Sequence, residues 1–226
     1  MSQTSLDIAQ LLAGMLLLVS FLMLYQDRLS ALINRYALQA IVLAASVAWQ
    51  AYTQQAAHLY VTAAIALIFK ALIIPLSLHK IVKKLRVHRT IEIIGGLRIT
   101  MALGVFLTAL SLVVMLPATT SVNAIDREDL AFAMAVVLLG LLMMVTRSNV
   151  VSQVIGFMSL ENGLILAAAG ADGMPLVVEI SVAFSVIVAF IIIGIFLFRI
   201  RERFDTVNLF ELDRVRGEKQ IGRAHV

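Results

Sequence analysis

The sequence contains no cysteine. That absence excludes a disulfide framework, an iron–sulfur cluster, a thiolate nucleophile and Cys-ligated zinc. Histidine is nearly as scarce, with four in 226 residues. His58 opens an apolar stretch, His79 and His88 lie among lysines and arginines, and His225 stands near the C-terminus. No two of them are three or four residues apart, so no histidine-bound metal or haem is expected, and no cofactor of any kind. A phosphate loop and a nucleophile–base arrangement are also missing. Gly95-Gly96 is an isolated pair beside a helix start, read as a hinge rather than a phosphate cradle. A chain with this inventory is expected to be a non-catalytic subunit rather than an enzyme by itself. Charge is the remaining deficit: charged residues are 14% of the chain, against about a quarter in soluble domains.

What fills the space is oil. Apolar residues make up 61% and the mean hydropathy is +0.98. A soluble domain runs to about 45–50% apolar, and a globule of this size has too little interior to hide the excess. The expected class is an all-α integral membrane bundle. Windows of about 20 apolar residues mark spanning helices, and seven are read: 6–24, 29–49, 58–78, 97–117, 130–146, 150–169 and 176–198. The first is expected to stay in the mature chain, because residues 1–6 carry no basic residue and so lack a signal peptide's positive region. The second is the weakest, with Asn34, Arg35 and Gln39 in its first turns. Tyr25, Trp49, Tyr52 and Tyr60 fall near predicted interfaces, as aromatic-belt residues do.

Basic residues orient the bundle. Most of the 18 Lys and Arg gather on one side: Arg28 and Arg35, the run from Lys80 to Arg98, Arg147, and the residues after Phe198. The other side carries Arg127 beside Asp126, Glu128 and Asp129. Positive-inside sorting then places the N-terminus outside and the C-terminus in the cytoplasm. The net charge of +4 is a topology signal, and no nucleic-acid partner is expected. The mixed stretch 81–94 reads as an interfacial helix, as a docking surface for a soluble partner, or as a helix end with snorkelling lysines. Domain organisation is expected as 1–117, a four-helix membrane region, and 118–219, a three-helix module with a cytoplasmic tail. The last residues, IGRAHV, have no periodicity and resemble read-through of a sequencing adapter, so 220–226 is left out of the fold.

Three charged side chains fall inside predicted spans, and each costs a few kcal/mol near the bilayer centre on insertion scales. Lys70 is 12 residues past His58 and 10 before Lys80, which is near midplane at about 1.5 Å per residue. Pro75 follows five residues later and should kink the helix beside the ammonium. Lys70 is a candidate proton carrier or a static counter-ion. Glu161 is 14 residues past Arg147, roughly 20 Å along its helix and at a depth that makes Lys70 its natural ion-pair partner. On the same helix Ser152, Gly156, Ser159, Gly163, Ala167 and Gly170 form a small-residue stripe suited to close helix contact. Asn162 either bonds across helices or solvates Glu161. Glu179 lies only four residues past Pro175, where it serves a transport step or simply sits with the helix dipole. The seventh span has no lysine, which disfavours a retinal protein.

The run RSNVVSQVIGFMSLENG, from Arg147 to Gly163, resembles the second helix of the K-type small membrane subunit of respiratory complex I. The tail DTVNLFELDRVRG, residues 205–217, is similar as well. Hydrogenase-4 component E joins such a three-helix module to extra N-terminal helices, and its third helix carries a lysine five residues before a proline, as Lys70 and Pro75 do. The chain therefore resembles component E over nearly its whole length. Two departures stand out. With Gly156 and Asn162 matched to the motif, Glu161 falls three residues later than the complex I glutamate, on much the same helix face. The second family glutamate aligns near Ala183, one turn beyond Glu179.

The resemblance implies a membrane subunit of an energy-converting, complex-I-related hydrogenase or formate hydrogenlyase-like complex, placed in the cytoplasmic (inner) membrane of a prokaryote and contributing to proton translocation. Glu161 would be the central relay, Lys70 its charge partner or next stop, and Glu179 the outer acceptor, with Asn162, Pro75, Gly156 and Gly163 in support. Implied partners are other membrane subunits, antiporter-like ones among them, a peripheral hydrogenase arm reached through the cytoplasmic basic loop, and membrane lipid. Two rivals stay open: a subunit of a multisubunit cation/proton antiporter, and a non-conducting assembly scaffold.

Overall fold

A computed structural model describes residues 3–85, 91, 93–118 and 124–170, together with 187, 191 and 194. The chain divides into a compact unit, Met1–Ala189, and a second, Phe190–Val226, of which only Ile191 and Gly194 are described. The described part of the first unit is helical throughout except for short connectors. In chain order it contains α1 (Gln3–Leu24), α2 (Leu29–Gln54), α3 (Ala57–Ile65), a π-helical segment (Ala66–Ile73), α4 (Ile74–Leu85), α5 (Leu97–Ala118), α6 (Ala124–Thr146) and α7 (Val150–Gly170).

Six stretches are long and apolar enough to cross a membrane: Thr4–Leu24, Leu29–Gln54, Ala57–Lys83, Leu97–Met115, Glu128–Thr146 and Val150–Gly170. They match the first six expected spans in place and order. The seventh, 176–198, falls outside the described residues, apart from Ile187, Ile191 and Gly194, which are helical. Glu179, Ala183, the tail 205–217 and residues 220–226 also lie outside them.

The second span has the lowest mean hydropathy of the six, 1.4, as expected, yet its packing departs from that of a marginal helix. α2 is an interior helix, and its polar residues divide by depth. Asn34 and Arg35 are exposed near the end that follows Arg28, whereas Gln39 is fully buried. Gln39 is satisfied from three sides. Gln55 closes α2 in the left-handed region, with φ 54° and its backbone N–H on Ala51 O.

The connector between α4 and α5 also departs from one of its readings. Within 81–94, helix continues to Leu85, but Ile91 and Ile93 are not helical. The Ile91 N–H donates to Asp27 O at 2.7 Å and the Ile94 N–H to Thr146 O at 2.8 Å, while Ile93 bridges Arg147. The backbone here is pinned to the α1–α2 and α6–α7 connectors, so this part is no interfacial helix. Gly95 and Gly96 follow, both at φ +82°, a conformation that glycine adopts without Cβ strain. They form a tight turn into α5.

Where lipid is the solvent, close backbone approach and interhelical hydrogen bonds hold helices together in place of a hydrophobic drive. The small-residue stripe of α7 meets α6 in this way. A Cβ built on Gly156 would lie 3.1 Å from Gly140 O, and one on Gly163 would lie 2.9 Å from Ala133 O. Gly140 is the reciprocal contact on α6: its Cβ would stand 2.5 Å from Leu160 N. The pattern on α7 was visible in the sequence, but its partner was not, because Gly140 is a lone glycine in an apolar run.

Candidate functional site

Lys70 sits at the midpoint of the Ala57–Lys83 span and is 1% exposed. The helix there is π-wound, from Ala66 to Ile73, with the Ile74 N–H reaching back five residues to Phe69 O. Pro75 explains the winding. It has no N–H to give the preceding turn, and the wider π ring redistributes the backbone bonds before it. Beside the ammonium the helix thus changes its winding, a feature that recurs at functional sites.

α7 brings the acid. Glu161 is 4% exposed, and its Oε2 lies 3.2 Å from Lys70 Nζ. The Lys70 ammonium also donates to Asn162 Oδ1 at 2.8 Å. Asn162 thus bonds across helices, its Oδ1 accepting from the Lys70 cation. Asn162 Nδ2 donates in turn to Gln39 Oε1 at 3.1 Å. Gln39 Nε2 donates to Ser20 Oγ and Ser159 Oγ, each at 2.8 Å, and Ser20 Oγ donates to Leu16 O. Four helical stretches meet here: α1 through Ser20, α2 through Gln39, the π segment through Lys70, and α7 through Ser159, Glu161 and Asn162.

This chain of donors runs one way, from Lys70 to Asn162, to Gln39, to Ser20 and on to the Leu16 carbonyl. The source is a cation and the sink a neutral carbonyl, so every amide orientation is set by its neighbour. Gln39 is the hub, and sequence reasoning missed it. Its signal was faint: a lone glutamine in a weak span, at a depth matching Lys70 and Glu161. Tyr36, one turn from Gln39, is fully buried and within electrostatic reach of Glu161.

Two further polar groups lie away from this centre. Arg147, read from sequence only as a topology signal and motif residue, is fully buried between α6 and α7. Its guanidinium donates to Leu24 O at 2.6 Å, Gln26 O at 2.7 Å and Met23 O at 3.4 Å, capping the C-terminal end of α1. A cation at the negative end of a helix is well placed. Burial pushes its pKa down to about 10, opposed by the Asp27 carboxylate. At the opposite end of the bundle Asp129, read as part of a polar connector, is 4% exposed. Gln50 Nε2 approaches its Oδ2 at 3.5 Å. Gln54 Nε2 donates to Gln50 Oε1 at 3.2 Å and to Ala169 O at 2.9 Å.

Among the described residues no group of His, Cys, Asp or Glu has metal-ligating geometry. The arrangement sets an amine and a carboxylate at ion-pair distance in a buried, amide-lined interior. Lys70, Glu161, Asn162, Pro75, Gly156 and Gly163 all belong to this region, the two glycines by seating α7 against α6.

No family model matches the chain, and no solved structure is significantly similar to it. Among curated proteins, the uncharacterized protein Rv0085 of Mycobacterium tuberculosis is 31% identical over 213 residues, covering 90% of this chain and 94% of that protein. Hydrogenase-4 component E of Escherichia coli K12 is 27% identical over 208 residues, covering 91% of this chain and 96% of that protein. Component E of Shigella flexneri matches to the same extent. The protein is thus a homologue of hydrogenase-4 component E, and at 31% identity across nine-tenths of both chains it belongs to the family of the mycobacterial protein.

Proposed function

We propose that this chain is a multi-pass membrane subunit of a complex-I-related, energy-converting hydrogenase assembly, in which it helps to move protons through buried charged groups. Homology to a hydrogenase-4 component supports membership in such a complex. The observation that carries the proton role is the Lys70–Glu161 pair, 3.2 Å apart at the centre of the bundle.

Transfer of one proton from the ammonium to the carboxylate turns the pair into a neutral amine and a neutral acid. Two charges disappear together, and neither partner is left as an unpaired ion in oil. A charge change in a peripheral redox arm, or in a neighbouring membrane subunit, would bias this exchange. The Asn162–Gln39–Ser20 chain holds the lysine in place but does not itself conduct, since amide groups pass protons poorly and their orientations are fixed. Glu179, outside the described residues, is retained as an acceptor on the outer side, and the cytoplasmic basic loop as the contact for the peripheral arm.

The test is Glu161→Gln in the complete complex in native membranes. Redox turnover with proton translocation reduced at least tenfold is the expected result. A fully assembled complex that still builds a full proton gradient rejects the relay. A sodium-dependent gradient would point to the antiporter reading, and loss of assembly without any specific translocation defect would point to the scaffold.

A further inference from the structure

The end of the bundle remote from the basic connectors holds a second buried carboxylate for which the central pair has no use. Asp129 lies in the first turn of the Glu128–Thr146 span, yet it is almost fully enclosed. The α2 helix points at it from the centre. Ser46 and Gln50 both fall within about 20° of Gln39 on the helical wheel, and all three are buried. Gln39 and Gln50 are 11 residues apart, about 16 Å along the axis. One polar stripe of α2 thus touches the central network through Gln39 and Asp129 through Gln50. Around the middle of that stripe the packing is apolar, with Leu43, Val47, Val136 and Leu166 buried together. Two polar stations are therefore separated by an apolar layer, with the buried Ser46 between them on the same helix face.

We infer that Asp129, positioned by Gln50, is a second proton-exchange group in series with the Lys70–Glu161 pair. This rests on the reading of the central pair as a proton carrier. The step is a transfer of one proton and no electrons. The central pair releases a proton, an oxygen of the Asp129 carboxylate accepts it and becomes the neutral acid, and water at that end of the bundle takes it on, restoring the carboxylate. Passage across the apolar layer requires transient hydration beside Ser46. The buried Asp129 differs in this from its neighbour Glu128, which is exposed.

The experiment compares Asp129→Asn, Asp129→Glu, Gln50→Leu, Glu128→Gln and Glu161→Gln in the complete complex in native membrane vesicles. Protons translocated per redox turnover are measured and normalised to the amount of assembled complex. Asp129→Asn is expected to lower that ratio at least tenfold, Gln50→Leu several-fold, and Asp129→Glu to keep most of it. Glu128→Gln should match the unmodified protein. If Asp129→Asn keeps the full ratio while Glu161→Gln loses it, the role of Asp129 is overturned and the central pair stands. If Glu161→Gln keeps the full ratio, the central reading fails and the series arrangement with it. Should Asp129→Asn not assemble, Gln50→Leu decides: a several-fold loss supports the proposal and an unchanged ratio overturns it. Failure of all three Asp129 and Gln50 variants to assemble assigns this station to packing and overturns the proposal.

Discussion

Lys70 Nζ and Glu161 Oε2 are 3.2 Å apart with both side chains withdrawn from solvent, so each charge depends on the other for its place in the bundle. Removing one partner of such a buried pair leaves an uncompensated charge and costs about 3–5 kcal/mol. Lys70→Met and Glu161→Gln should each destabilise the protein on that scale, and the double variant should be less damaged than the sum of the two. Thermal unfolding of the detergent-solubilised protein, cast as a double-mutant cycle, measures the coupling. Strictly additive losses would mean that the two groups do not interact.

Gln39 makes contacts on both ends of its amide, to Ser20, Ser159 and Asn162. Gln39→Leu keeps the approximate volume and removes three buried hydrogen bonds, to Ser20, Ser159 and Asn162. Each orphaned buried group costs about 1–3 kcal/mol, although interhelical bonds measured in membranes average nearer about 0.6 kcal/mol. The expected loss is therefore about 2–4 kcal/mol, with Gln39→Glu no better because it buries a further charge and has no N–H to give Ser20 and Ser159. Unfolding midpoints of the two variants check this, and a Gln39→Leu protein as stable as the original would remove the hub.

Two glycines make opposite predictions. A Cβ on Gly140 meets the Leu160 backbone nitrogen at 2.5 Å, whereas a Cβ on Gly14 meets nothing within 4 Å. Gly140→Ala must push α6 from α7 and is expected to cost about 1–3 kcal/mol, as overpacking does. Gly14→Ala is expected to be neutral or to stabilise α1 by about 0.5–1 kcal/mol, through helix propensity. The order of the two melting temperatures decides. A harmless Gly140→Ala would contradict the close contact.

Arg147→Met would remove the guanidinium donor from the carbonyls of Leu24 and Gln26, while Met23 O keeps the Gln26 N–H, and Arg147→Lys should recover only part of the loss, because an ammonium lacks the planar fork. The sign of any pH effect follows from a base held below its usual value. The cost of burying that charge is fully present at low pH and is relieved only as pH rises past about 10. The stability difference between the original protein and Arg147→Met should therefore be flat from pH 6 to 8. A change of more than about 1 kcal/mol over that interval would show that the group titrates far lower.

The six described spans were legible because their signal is length and hydropathy, which need no partner. Lys70 and Glu161 stood out for a related reason, since a charge in oil is conspicuous wherever it falls, and Asn162 was noticed only as the neighbour of one. Gln39, Gly140 and Asp129 were not legible, since each is unremarkable until another helix is placed against it. An amide in a weak span, a glycine in an apolar run and an aspartate in an acidic connector acquire meaning only from the packing of α2, α6 and α7. The π-winding sits between these cases: Pro75 announced an irregularity, but the form it took depends on how the following turns are held.

The separation in sequence between Lys70 and Asn162 is 92 residues, and between Gln39 and Ser159 it is 120. At about 5–20 residues per second, a ribosome finishing this chain leaves Lys70 waiting about 5–18 s for its acceptor. During that interval the early helices hold an ammonium without its acceptor and a glutamine amide that has only Ser20 of its three side-chain partners. Correct biogenesis then depends on shelter, by insertion machinery or by neighbouring subunits already in place, until α7 emerges and locks the bundle.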